Sequence, residues 1–105
     1  MDAVAHYQKL VAHFSNVEGV SAGQLFGKAC LKVEGKAFVA QHRETLVFKL
    51  TSPQHGEALA LPGACLWDPS GKGRPMKEWV AVPAAEYKRF KALAAAAHDY
   101  VASVS

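Results

Sequence analysis

Between Lys28 and Leu50 the chain sets three strand-like stretches with almost nothing in between, and this narrows its fold more than any other feature. "KACLKV" sets Ala29, Leu31 and Val33 against Lys28, Cys30 and Lys32. "KAFVAQ" resumes after Glu34-Gly35. "TLVFKL" puts Leu46, Phe48 and Leu50 on one side after a polar break from His42 to Thr45. Alternation with period two is the mark of a strand with one buried face. Glu34-Gly35 is a tight-turn signal, since glycine takes positive φ without a steric penalty. Connections this short cannot hold a parallel crossover, so the three strands form an antiparallel meander.

Helical periods flank the meander. From Asp2 to Asn16, residues Val4, Tyr7, Leu10, Val11 and Phe14 recur at three and four, with Asp2 as an N-cap or first-turn acid. "NVEGVSAG", with Gly19 and Gly23, ends that helix. Ser52-Pro53 opens a short helix to Leu59, a cap-type residue followed by proline at the first helical position. Leu61-Pro62-Gly63 closes it. "ACLW" and "EWVAV" read as two further strands. Pro83 starts an alanine-rich helix to Val101, with the stripe Phe90, Leu93, Ala97, Tyr100 and Val104. The order αβββαββα predicts an α+β fold in two layers, a five-stranded antiparallel sheet with helices packed on it. The 105 residues, 50% of them apolar, suit one globular domain spanning 1–105.

"MDAVAHYQKL" has no signal-peptide core, and no run approaches the roughly 18 apolar residues of a membrane span. Cys30 and Cys65 form no CxxC pair. The expectation is a cytoplasmic protein with reduced thiols and no membrane partner, monomer or homodimer. A Cys30–Cys65 disulfide would require neighbouring strands.

The stretch "WDPSGKGRPMKEW", Trp67 to Trp79, invites a phosphate-binding reading. A P-loop needs GxxxxGK[ST] for backbone amides around phosphate, a lysine and a magnesium-binding hydroxyl. Here Leu66 stands where the first glycine belongs and Gly73 where the hydroxyl belongs. GxGxxG fails at Met76 and lacks the strand-to-helix setting. What remains is a hairpin loop. It is either a plain turn or an anion-binding loop with Lys72 and Arg74 at its tip and Lys77 at its base. Lys88, Arg89 and Lys91 open the last helix. Together with the loop they are the candidate anion or nucleic-acid contacts, with Lys28, Lys32, Lys36 and Lys49 dotting the sheet. The net charge of +3 permits an anionic partner without demanding one.

His6, His13, His42, His55 and His98 show no zinc spacing and read as surface histidines, so no metal or cofactor is expected. Cys30, between Lys28 and Lys32, is either a lowered-pKa thiol or a half-buried cysteine, and no orienting base is identifiable beside it. No nucleophile–base or paired-carboxylate constellation emerges.

"LFGKACLKVEGKAFV" and "GKGRPMKEWVAVP" resemble signature stretches of the TfoX N-terminal domain family of small bacterial proteins. The positions that carry the likeness are Phe26-Gly27, Gly35-Lys36, Leu46 to Lys49 and Gly73 to Trp79. The resemblance spans Gly19 to the final helix and extends distantly to the YjbR/MmcQ group. It implies an α+β fold with an antiparallel sheet and a regulatory role in control of competence genes. Full-length members carry a second, C-terminal domain, which this chain is expected to lack. The family pattern implies no catalytic residues. The expected function is therefore a non-enzymatic regulatory or adaptor-type domain acting on a protein or nucleic-acid partner. The alternatives are a weak nucleic-acid binder using the loop and helix-start cations, and a small thiol enzyme using Cys30.

Overall fold

The structure, a computed structural model, describes residues 2–69, 72, 73 and 75–104. Helix α1 (Ala3–Phe14) leads into β1 (Val20–Leu25), β2 (Lys28–Val33), β3 (Lys36–His42) and β4 (Thr45–Lys49). Helix α2 (Gln54–Leu59), β5 (Cys65–Trp67) and β6 (Met76–Pro83) follow. A 3-10 stretch (Ala84–Arg89) then runs into α3 (Phe90–Val104). The sheet has six strands in the order β1-β2-β3-β4-β6-β5, and each neighbouring pair is antiparallel.

The meander is present as expected, but it is one strand longer, so the order is αββββαββα rather than αβββαββα. Strand β1 is missing from the sequence reading because Gly23 and a polar edge mask its alternation. The turn behind it is also atypical. Phe26 and Gly27 both have positive φ (52° and 76°), the same two-residue hairpin geometry as Glu34-Gly35 (51° and 80°). Turns with two positive-φ residues match the right-handed twist of paired strands. Phenylalanine rarely advertises one.

The helices cover one sheet face. From α1, Ala3, Tyr7, Leu10 and Phe14 enter the core together with Leu31, Phe38, Phe48, Val80 and Val82. Val4 was expected in that stripe and is exposed instead, because it lies about 100° round the helix from Ala3. Asp2 is the N-cap: its Oδ1 accepts from the Ala5 amide at 2.9 Å. A register shift lets Leu31 pair with Val39 and Lys32 with Ala37. Phe38 and Val39 therefore both reach the helix-side core, which plain alternation forbids. On α3 the buried set is Phe90, Leu93, Ala94, Ala97 and Val101. Tyr100 is only half-buried, and Val104, the last residue of the helix, is exposed. The small Ala94 and Ala97 let α3 sit close to the sheet.

Two expected helix starts shift. Pro53, not Ser52, holds the N-cap position of α2, and no side chain bonds its first amides. Pro83 belongs to β6, with an extended ψ of 148°, and the chain after it is 3-10 with a break at Glu86 (φ −93°, ψ 28°) before α3 begins. No helix among the described residues is long and apolar enough to cross a membrane.

Candidate functional site

The sheet face turned away from the helices carries its own small core: Cys30, Ala40, Val47, Trp67, Trp79 and Ala81. Strand pairing explains the set. Cys30 faces Ala40, Ala40 faces Val47, Val47 faces Ala81 and Ala81 faces Cys65, so one row of short side chains crosses five strands. Short residues there leave room for two indoles. Trp67 and Trp79 pack edge to face with ring centres 5.4 Å apart and are 2% and 5% exposed.

Trp67 does more than fill space. Its Nε1 donates to His42 Nδ1 at 2.8 Å, although β4 and β6 lie between their strands. Its ring also meets Phe26 edge-on at 6.0 Å. Phe26 leads out of edge strand β1, while Trp67 ends the opposite edge strand, β5. In a flat sheet those edges would stand about 24 Å apart. The sheet therefore curls over its helix-free face until side chains from its two edges touch.

Phe26 is the part of this cluster that remains outside, 58% exposed on a left-handed backbone. Lys28 follows it across the turn. Arg43, also at positive φ (56°), follows His42. Burial, then the charges of Lys28 and Arg43, hold the His42 pKa below its ordinary value. As a neutral ring accepting at Nδ1, His42 carries its proton on Nε2. The cluster thus joins an exposed aromatic ring to a histidine with two cations near it, which suits an apolar group attached to an anion. Phe26, His42 and Arg43 were not singled out from sequence.

The cations singled out from sequence do not converge. Lys72 and Lys77 are exposed at the β5–β6 connection, and Arg74 lies outside the described residues. That connection is braced by the Gly73 amide on Asp68 Oδ2 (2.8 Å) and by His55 Nε2 donating to the Lys77 carbonyl (2.7 Å). Lys88, Arg89 and Lys91 sit beyond the other end of β6, roughly 20 Å of strand from Lys77. Arg89 lines a groove of about 530 Å³ between α2 and α3, floored by Ala58, Leu61 and Leu93. Lys91 lines a different cavity, against α1. Lys88 and Arg89 are on the 3-10 stretch, not on α3.

Trp79 anchors the β6 end on the sheet face, and it is Glu78 that reaches the last helix. Tyr100 Oη donates to Glu78 Oε2, and Lys49 Nζ stands 3.9 Å from Glu78 Oε1. That hydrogen bond, with burial adding to it, raises the Tyr100 pKa.

Cys30 is fully buried, and burial pushes its thiol pKa up against the opposing pull of Lys32. Cys65 is exposed and free, on a strand four places along the sheet from that of Cys30. Among the described residues no three of His, Cys, Asp and Glu gather as a metal site. The histidines are not all on the surface as expected. His6 is buried where α1 meets Tyr87 and Phe90, and the His98 ring packs against Phe14 and Phe38 with its Nε2 buried. Comparisons with family models, curated proteins and solved structures find no match to this chain.

Proposed function

We propose that the protein is a small regulatory or adaptor-type binding domain, similar to the TfoX N-terminal domain, whose working surface is the Phe26 end of the helix-free sheet face. The partner is a protein segment carrying acidic side chains beside an apolar one, met in the cytoplasm. The observation behind this is the exposed Phe26, held edge-on to Trp67, whose hydrogen-bond partner His42 feels the charges of Lys28 and Arg43. A large apolar residue kept outside on a left-handed backbone is costly to both solvation and conformation, and such residues recur at binding sites. Quantitative capture of partners from source-cell extract, with Phe26→Ser and Lys28→Glu beside a Lys88→Glu/Arg89→Glu control, tests this. The partner is expected to vanish with the first two variants and persist with the control. Loss only in the control would reject the reading.

Single-stranded nucleic acid is the second reading, favoured by the same residues. An exposed aromatic stacks a base for about 1–3 kcal/mol, and Lys28, Lys32 and Arg43 supply phosphate contacts. Fluorescence anisotropy with a single-stranded oligonucleotide at rising salt separates the two. Binding that weakens steeply with salt and fails in Phe26→Ser supports nucleic acid. Its absence at low salt removes it.

A further inference from the structure

A second site lies in the helix layer, on the opposite side of the sheet and independent of the reading above. His6, Lys9 and Leu10 from α1 and Tyr87, Phe90 and Lys91 from the far side line a cavity of about 140 Å³. His6 is 6% exposed, and its Nε2 is buried with no hydrogen-bond partner. A polar atom left so in a packed interior is destabilising unless something satisfies it. Phe90 meets the His6 ring edge-on at 5.7 Å. Tyr87 covers the ring face-on, 4.8 Å between centres and 11° from parallel.

Tyr87 is the wall with least packing behind it. It is half exposed, and no residue of its 3-10 stretch is buried. Lys9 and Lys91 are exposed and both line the cavity, one from each side. The charge facing His6 from its own helix on the other sign is Asp2, whose carboxylate is engaged with the Ala5 amide. Two ammonium donors and one buried imidazole N–H, in a space of a few water volumes, match a small tetrahedral or planar oxyanion.

We propose that this cavity binds a compact oxyanion, a phosphate group above all, held by Lys9 and Lys91, with His6 Nε2 donating once displacement of Tyr87 from its face frees the imidazole to turn toward the cavity. The shared chemistry is the phosphate group, free or at the end of a nucleotide.

Imidazole nitrogen NMR of the whole chain, titrated with sodium phosphate against sodium chloride at equal ionic strength, is the test. The proposal expects a saturable shift of the His6 Nε2 resonance with phosphate alone. Lys9→Met and Lys91→Met should each weaken it about tenfold, the loss of one charge-assisted hydrogen bond. Both lysines are exposed, so an unchanged melting temperature verifies that the variants fold. A nucleoside 5′-monophosphate that binds more tightly and also shifts Tyr87 identifies the esterified source; equal affinity identifies free phosphate. A His6 response that is unsaturable, identical in chloride, or indifferent to both lysine variants overturns the proposal.

Discussion

The rings of Phe26 and Trp67 touch across 6.0 Å although they belong to opposite edges of a six-stranded sheet. The Trp67 hydrogen bond to His42 and the packing of its indole keep the curled sheet closed over its row of small side chains. Trp67→Phe retains most of the ring but leaves His42 Nδ1 without its donor, and should lower unfolding free energy by about 1–2 kcal/mol. Trp67→Ala should lower it by about 3–5 kcal/mol. Urea denaturation of both variants measures the difference, which assigns the gap between them to packing.

Acid should loosen the same region. The folded state lowers the His42 pKa from 6.5, so the neutral ring is favoured on folding. A depressed histidine contributes stability that is present above pH 6.5 and is lost as pH falls through the lower folded value. His6, lowered mainly by burial and then by Lys9, acts in the same direction. Stability measured from pH 7.5 down to 5 should therefore decline. His42→Gln should flatten part of that decline, because a neutral amide cannot titrate.

Phe26 should prove dispensable for folding. Glycine at φ 52° relieves a left-handed strain of about 1–2 kcal/mol, while unfolded-chain entropy and the lost Trp67 contact act against it. Phe26→Gly should shift stability by less than about 1 kcal/mol while abolishing partner binding. A large loss of stability would recast Phe26 as a structural residue.

The two thiols should differ sharply. Cys65 is exposed and should react with a thiol reagent at once, whereas Cys30 should react only as the chain unfolds. Ellman titration in buffer and in denaturant gives the two counts. Fast modification of Cys30 in the native state would reopen the thiol-enzyme alternative.

What was legible in the sequence follows from what is local. Alternation marked β2 and β4, the Glu34-Gly35 turn marked β3 between them, and the period of α1 marked its core side, because neighbouring residues alone decide those features. Edge strand β1 was hidden, since an edge needs little apolar alternation and its turn uses Phe26. The Phe38 bulge and the 3-10 stretch after Pro83 depend on how strands meet, which no short window contains. The site followed the same division. Lys72, Lys77, Lys88, Arg89 and Lys91 stand out by charge, yet β6 separates them into distant groups. Phe26, His42 and Trp67 are brought together only by the curl of the sheet, and nothing in their spacing announces it.

The most direct measurement is a proton NOE experiment on the native chain, reading contacts between the Phe26 ring and the Trp67 indole. Cross-peaks between the two rings, with the Trp67 indole N–H protected from exchange by His42, are the expected result. A Phe26 ring that shows contacts only within its own turn, beside a Trp67 N–H that exchanges freely, would contradict it.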